Sequence, residues 1–212
     1  MTTLALRFAP AASRGGSRLA FQVACAVVGA ALIAGLAQFT IYLPFTPVPI
    51  TGQTLGVLLV GAAYGPALGA ATVGLYLVAA VAGLPVLARN AAGGHDAGVH
   101  VLGAAFASGG YLWGFLLAAA LVGWLARHGW DRSFRSSVSA MFFGELVIYA
   151  CGIPWLMHAL GVDVQTALTY GLYPFVVGDT IKLLLAAGAL PLAWAMLRRF
   201  RPGDTGEEPG AG

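Results

Sequence analysis

The segment YPFVVGDTIKLLLAAGALPLAWAM, residues 173–196, decides the fold of this chain. It exceeds the roughly 20 apolar residues that cross a bilayer core, yet it contains Asp179 and Lys182. A lone charge in mid-membrane costs about 2.5–3.5 kcal/mol on insertion scales. Residues three apart share one helix face, so the two groups can neutralise each other or hold a polar ligand between them. Intramembrane ionisable residues more often mark a ligand or ion path, which favours the second interpretation.

The composition extends this membrane assignment to the whole chain. Of 212 residues, 59% are hydrophobic and only 9% are charged, whereas soluble domains carry about a quarter charged residues. We therefore predict an all-α membrane protein. The eleven basic residues are spread over separate segments rather than clustered in one soluble patch, which argues against nucleic acid as a partner.

Apolar runs predict six transmembrane helices separated by irregular loops. Three loops are long: the proline segment 40–53, with Pro44, Pro47 and Pro49, the loop 84–104 and the loop 159–172. Prolines at this spacing forbid helix and favour extended backbone, which at membrane depth must line protein or a watery cavity. The predicted helices cover residues 19–39, 54–64, 65–83, 106–126, 136–158 and 173–197.

The basic residues also predict the topology. Most lie in the N-terminal segment, between the fourth and fifth helices, and after the sixth helix, namely Arg7, Arg14, Arg18, Arg127, Arg132, Arg135, Arg198, Arg199 and Arg201. The positive-inside rule makes these segments cytoplasmic and places the long loops outside. We expect a cytoplasmic segment 1–18, a membrane domain 19–199 with the first span retained, and a disordered cytoplasmic tail 200–212.

Small residues recur at spacing four on the first helix, where Ala20 precedes Ala24 and Ala26 precedes Ala30. The pairs Gly65 with Gly69 and Gly110 with Gly114 repeat the pattern. Such surfaces let helices approach closely, either within one chain or between chains. Internal packing is the first interpretation of them, and docking of a partner is the alternative.

Several polar residues invite a chemical function. Glu145 could relay protons, pair with a basic residue or sit protonated. His95, Asp96 and His100 match no zinc signature, so we predict no metal site. Arg89, beside Asn90, could hold a carboxylate or simply reach the interface as a snorkelling side chain.

Enzyme and nucleotide motifs are missing from the sequence. Without a G-x-x-x-x-G-K-[ST] motif the chain cannot cradle ATP by itself. An intramembrane enzyme would have to rely on residues such as Ser108 and His158, for which no signature exists, so we predict no catalytic residues and no cofactor.

Four blocks of sequence together resemble the BioY family, the biotin-specific S-components of energy-coupling-factor (ECF) vitamin importers. The blocks are PFTPVPITGQTLGVLLVGAAYGPALGA, LYLVAAVAGLPVLA, SGGYLWGFLLAA and YPFVVGDTIKLLLAA. They occur over about residues 38–190. The resemblance implies an S-component bundle of six helices that captures biotin near the outer face, under the loops after the first and third helices.

The resemblance also implies residue roles. Asp179 and Lys182 would contact biotin, with Arg89 and Asn90 assisting. The block Gly109, Gly110 and Tyr111 would bring backbone close to the ligand. The family commonly has Gly-Pro-Thr before Gly-Gly-Tyr, and here Ser108 supplies the hydroxyl. Further candidates are Gln53, Thr51, Tyr76 and Tyr149.

Biotin chemistry agrees with these residues, because its ureido group donates twice and accepts once while its valerate ends in a carboxylate. The family resemblance further implies an ECF transmembrane coupling subunit as partner, with docking through Ala20, Ala24, Ala26 and Ala30, and ATP hydrolysis by separate ATPase subunits. Three alternatives remain open: a solitary, self-associated biotin transporter, an S-component for another small vitamin, and an intramembrane enzyme.

Overall fold

The computed structural model describes residues 3–8 and 15–200, and helices dominate it. The helices are α1 (Leu4–Phe8), α2 (Gly15–Ala37), α3 (Gln53–Tyr64), α4 (Pro66–Val81), α5 (Gly109–Arg127), α6 (Phe134–Leu160), α7 (Val164–Gly171) and α8 (Val176–Phe200). Two short strands, β1 (Thr40–Ile41) and β2 (Ile50–Thr51), and a 3-10 helix, Val99–Leu102, complete the fold.

In the described residues, four helices are long and apolar enough to cross a membrane: α2, α5, α6 and α8. Helices α3 and α4, with 12 and 16 residues, are shorter than the roughly 20 residues of a full span. They meet at Gly65, whose φ of 84° suits glycine, and Pro66 opens α4. The chain is therefore a membrane-integral helical protein, while spanning by α3 and α4 stays a prediction.

The proline segment forms a hairpin that is not helical, as expected, but only its two ends are extended strands and the residues between them form turns and bends. Strands β1 and β2 pair antiparallel, with Thr40 opposite Thr51. The three prolines lie between the strands, and α3 begins two residues after β2. The base of this hairpin is therefore adjacent to the start of α3.

Helix α5 lies at the centre of the bundle, packed between α3, α4 and α6. Its most apolar window is 67% buried, whereas that of α2 is only 11% buried. Glycines permit the close approach: a Cβ on Gly61 would lie 2.8 Å from the Ala119 oxygen, and one on Gly114 would lie 2.9 Å from Ile148 Cα. The predicted internal use of small residues is confirmed for Gly69, which faces Gly61, and for Gly114.

The prediction that residues 159–172 form an irregular loop was wrong. Gly161, in the left-handed region, ends α6, and α7 begins three residues later. The Asp163 side chain accepts a hydrogen bond from Thr166 N at 2.8 Å, which caps α7, and hydrogen bonding to Thr166 lowers the pKa of Asp163. Helix α8 consequently starts at Val176, after a turn that contains Pro174, rather than at residue 173.

The arginine-bearing ends of α2, α5, α6 and α8 share one end of the bundle. Trp194, near the end of α8, donates a hydrogen bond to Asp131 Oδ2 at 2.5 Å, and Gly65 lies within reach of Arg127. Residues 3–8 also pack there, since Thr3 is fully buried and its hydroxyl donates to the Tyr64 oxygen at 3.5 Å. The other predicted terminal residues, including Arg14, Arg201 and the tail 201–212, lie outside the described ranges.

Candidate functional site

A cavity of about 530 Å³ lies at the end of the bundle opposite the arginine-bearing ends of α2, α5, α6 and α8. Its walls come from the proline hairpin, the loop after α4, the segment 106–115, and the facing sides of α6 and α8. Predominantly apolar walls with a few convergent polar groups are typical of small-molecule sites, and the volume falls within their usual range of about 300–1,000 Å³.

Asp179 is the most constrained polar group on the wall. It is only 6% exposed, and its two carboxylate oxygens have different partners. The Tyr149 hydroxyl donates to Oδ2, while Oδ1 forms an ion pair with Lys182. Among the described residues, Oδ1 is contacted by the Lys182 ammonium alone. Because a carboxylate oxygen has two lone pairs, Oδ1 can also accept a hydrogen bond from a ligand N–H.

Lys182 ties α8 to the hairpin and to α3. Its ammonium donates to the Thr51 carbonyl oxygen at 2.8 Å and to Thr54 Oγ1 at 2.9 Å, in addition to its ion pair with Asp179. These contacts account for the three donors of the group. Asp179 and Lys182 lie on one face of α8 as predicted, and they contact each other directly, which is the interpretation that the sequence favoured less. Lys182 in addition positions the backbone that follows the hairpin.

Arg89 and Asn90 lie on the opposite wall in a tight turn that spans residues 89–95. Arg89 forms an isolated antiparallel bridge with His95. The Asn90 side chain accepts from Gly94 N at 2.9 Å and donates to Asp96 Oδ1 at 3.3 Å. The His95–His100 stretch, which matched no family pattern, therefore shapes the turn that presents Arg89 and Asn90 to the cavity.

The same loop faces the proline hairpin across the mouth. Tyr42 and Asp96 both line the cavity, and burial together with the Asp96 carboxylate raises the pKa of Tyr42. Among the described residues, no group of three or more histidine, cysteine or acidic side chains could hold a metal ion.

Two further predicted residues lie at the floor of the hairpin. Thr51 and Gln53 line the cavity, and Thr51 Oγ1 donates to Gln53 Oε1 at 2.9 Å. Tyr76 does not line it. Its hydroxyl accepts from Gln53 Nε2 and donates to the Val86 oxygen, so Tyr76 fixes Gln53 from behind.

The Gly-Gly-Tyr block contributes less to the cavity than the sequence suggested. Ser108 and Tyr111 line it, and the Tyr111 hydroxyl donates to the Gly171 oxygen at 2.9 Å. Gly110 is not among the residues that line the cavity. A Cβ on Gly110 would collide with Trp155 and Cys151 of α6, so this glycine serves helix packing instead of ligand contact.

Some residues of the cavity were missed in the sequence. Tyr42, Thr46 and Thr54 line it. The first two belong to the proline segment that the sequence had marked as a lining element, whereas Thr54 lies in the first turn of α3, which it had not. Thr46 donates to the Tyr170 oxygen at 2.6 Å, a contact over more than a hundred residues that no local pattern predicts.

The proposed enzyme pair is not brought together. Ser108 lies on the cavity wall, but His158 is exposed in the last turn of α6. On α2, Ala20 and Ala24 are exposed, whereas Ala26 and Ala30 are half-buried and Ala30 packs against the core. Of the two pairs, only Ala20 and Ala24 are therefore fully accessible to a partner.

Comparisons with known proteins agree on one family. Residues 10–199 match the model of the BioY family. The chain is 34% identical over 154 residues to the biotin transporter BioY of Rhizobium etli, which covers 69% of this chain and 78% of that protein. It is 35% identical over 147 residues to the biotin transporter BioY of Thermotoga maritima, covering 69% of this chain and 81% of the relative.

A solved structure has a similar fold. The crystal structure of the S-component for biotin from an ECF-type ABC transporter superposes with a TM-score of 0.71 and 28% sequence identity. The match covers 90% of this chain and 95% of that chain.

Proposed function

The chain belongs to the BioY family, and on that premise we propose that it captures biotin at the cavity and serves in its uptake as the S-component of an ECF-type importer. The family and its solved structural neighbour are transporters, not enzymes. The observation that carries the proposal is the cavity with Asp179 in its wall, because its buried Oδ1 is contacted only by Lys182 among the described residues and can accept a further hydrogen bond from a ligand.

The ureido group of biotin can supply a further donor to Asp179. Its N–H groups can donate to Oδ1, and a hydrogen bond to a charged group contributes about 1.5–3 kcal/mol. Lys182 holds Asp179 in place through their ion pair, and its three donors are engaged by Thr51, Thr54 and Asp179. Asp179 thus acts as the acceptor, and Lys182 acts mainly by positioning it.

The opposite wall suits the valerate carboxylate. Arg89 and Asn90 stand there on a turn held by Gly94 and Asp96, and guanidinium groups recognise carboxylates well. Between the two polar walls, Phe106, Leu112, Phe115 and Phe175 offer apolar surface to the fused rings of biotin.

Binding of labelled biotin to the purified protein tests this site. We expect nanomolar to low-micromolar affinity, and we expect Asp179→Asn or Lys182→Ala to weaken it at least tenfold, about 1.4 kcal/mol. Calorimetry or tryptophan quenching measures both. The control is Asp163→Asn, the same change at an exposed helix cap outside the cavity, which should bind like the wild type. Unchanged affinity in both cavity variants would refute the site.

We also propose that α3 and α4 complete a six-helix membrane domain with both termini in the cytoplasm, so that the cavity opens outward. The arginine-bearing ends of α2, α5, α6 and α8 support this orientation. Single cysteines placed at Ala91 and at Arg135 should react with an impermeant reagent from outside and from inside, respectively. The reverse pattern would invert the topology and rule out capture from outside.

Partners follow from the ECF context. A coupling subunit and ATPase subunits would supply the energy, because the chain itself has no phosphate-binding loop. Biotin uptake by cells that express this chain with and without such subunits separates this assembly from a solitary, self-associated transporter. Competition by other vitamins decides whether biotin is the preferred ligand.

A further inference from the structure

Glu145 is a buried acid that the proposed binding site does not use. It lies on α6 and is only 5% exposed. Neither of its carboxylate oxygens has a hydrogen-bond partner within the described part of the chain, and it is not among the residues that line the cavity.

The position of Glu145 places it behind Asp179 and Lys182. It precedes Tyr149 by one helical turn, so the two side chains share a face of α6, and the Tyr149 hydroxyl donates to Asp179 on α8. Because α6 and α8 run antiparallel, one turn back along α6 corresponds to one turn forward along α8, which is the level of Lys182. Glu145 accordingly interacts electrostatically with both Asp179 and Lys182.

The charges around Glu145 do not balance if every group is ionised. On α8 it faces Asp179 and Lys182, its own helix adds Tyr149, and Tyr111 on α5 lies against Tyr149. The neighbouring part of α3 contributes the neutral Gln53 and Thr54. The cluster therefore contains two carboxyl groups and a single ammonium, and that ammonium is already bound to Asp179, Thr51 and Thr54.

A second carboxylate in such a place would be a buried charge with neither an ion-pair nor a hydrogen-bond partner, which proteins avoid by neutralising the group. Asp179 has a donor in Tyr149 and is paired directly with Lys182, whereas Glu145 has no hydrogen-bond partner among the described residues and only a longer-range attraction to the same ammonium. Glu145 is consequently the carboxyl group that has to be neutralised.

We infer that the Glu145 carboxyl binds a proton in the empty site and thereby keeps the Glu145, Asp179 and Lys182 cluster electrically neutral. The proton comes from solvent and resides on one carboxyl oxygen. This leaves Asp179 as the single buried anion that can accept the ligand N–H. The role of Asp179 as acceptor rests on the proposed function, whereas the protonation of Glu145 does not depend on which ligand binds.

Infrared difference spectroscopy of the ligand-free protein at neutral pH tests the inference. We expect the C=O stretch of a protonated carboxyl group that disappears in Glu145→Gln and changes frequency in Glu145→Asp. In Asp179→Asn the ammonium loses its carboxylate partner, so Glu145 should ionise and the same band should vanish. If the wild type has no band that responds to Glu145, or if the band persists in Asp179→Asn, the inference is overturned.

A second measurement uses the ligand. Glu145→Gln should keep the biotin affinity within about threefold of the wild type at neutral pH, because a neutral carboxamide replaces a neutral carboxyl group. At alkaline pH the wild type should lose affinity as Glu145 releases its proton beside Asp179, and Glu145→Gln should lose less.

Identical pH profiles for the two proteins would contradict the inference. The infrared result needs no biotin, so a failure of biotin binding would overturn the proposed function without affecting the assignment of the proton. If Glu145→Gln fails to fold, the bands of the wild type and of Asp179→Asn still decide the question.

Discussion

At the scale of single residues, Asp179 shows why a membrane helix retains a charge. Its carboxylate is held by a tyrosine from α6 and a lysine from its own helix. Buried polar groups of this kind are stable only when each is satisfied. Any change to one partner should therefore alter the ability of Asp179 to accept a ligand.

Tyr149→Phe removes one donor from Asp179 and leaves the ring contact with Tyr111 in place. A typical hydrogen bond contributes about 0.5–1.5 kcal/mol, so we expect biotin affinity to fall by a factor of about two to twelve. Calorimetry measures the change. Tyr173→Phe, at an exposed tyrosine outside the cavity wall, is the matched control and should bind normally. A Tyr149→Phe protein with wild-type affinity would show that this hydroxyl is dispensable for binding.

The sequence predicted that Asp179 and Lys182 share one face of a helix, because spacing on one helix is a local property, but it favoured a ligand between them over their direct pairing. It also selected Arg89, Asn90, Thr51 and Gln53, all of which line the cavity. It could not predict that the Lys182 ammonium reaches Thr51 and Thr54, because those contacts join residues far apart in the chain. Gly110 was misjudged for a related reason: what a glycine packs against depends on the neighbouring helix.

At the scale of elements, glycines determine how closely the central helices approach one another. Gly61 on α3 lies against the Ala119 backbone of α5 and against Gly69 of α4. The sequence pattern indicated close packing of small residues, but it did not include Gly61. Three helices converge at this residue, and only the folded chain reveals that.

Gly61→Val should destabilise the bundle, because its Cβ would lie 2.8 Å from the Ala119 oxygen and overpacking typically costs about 1–3 kcal/mol. Thermal unfolding in detergent measures the loss as a lower midpoint. Gly188→Val on α8, where a Cβ meets no atom within 4 Å, is the control for introducing valine into a helix. Equal midpoints for the two variants would contradict the packing role.

The loop between α5 and α6 is joined to the end of α8 through Asp131. This aspartate is almost fully buried and accepts from the Trp194 indole, while the Arg132 guanidinium lies 3.8 Å from the centre of the Trp194 ring. Burial raises the pKa of Asp131 above its ordinary value, although Trp194 and Arg132 partly oppose this shift.

Because the pKa of Asp131 is raised in the folded state, the folded protein binds the proton more tightly than the unfolded chain. Stability therefore falls as the pH rises from the ordinary aspartate pKa through the raised pKa of folded Asp131. Asp131→Asn retains an acceptor for Trp194 and cannot ionise. We expect it to be at least as stable as the wild type at neutral pH, with the advantage vanishing in acid below the ordinary aspartate pKa. Unfolding midpoints across pH measure this. A variant that loses stability only at neutral pH would reverse the assigned sign.

At the scale of the whole molecule, α2 is the least covered of the long helices. The most apolar stretch of α2 is only 11% buried, and the small side chains of Ala20 and Ala24 are exposed on it. Composition predicted a membrane protein, and charge placement agrees with a cavity at the end away from the arginine-bearing ends of α2, α5, α6 and α8. Helix α7 escaped prediction because its cap, Asp163, lies among residues with the composition of a loop.

We predict that Ala24→Trp impairs assembly with an ECF coupling subunit and reduces uptake, while biotin binding by the isolated chain is retained. A bulky ring on the exposed side of α2 would prevent the close helix contact that small residues permit. Co-purification and uptake measure the effect. Ala71→Trp, on the exposed side of α4, is the control, and equal assembly of both variants would exclude α2 as the docking helix.

The contacts of Lys182 with Thr51 and Thr54 also have a mechanical consequence. The ammonium that pairs with Asp179 also joins the base of the proline hairpin to α8 by hydrogen bonds. A molecule that binds to Asp179 should therefore alter these bonds and shift the hairpin. A fluorophore attached in place of Phe45, which is exposed between the two strands, would then report occupancy by a change in emission without contacting the bound molecule.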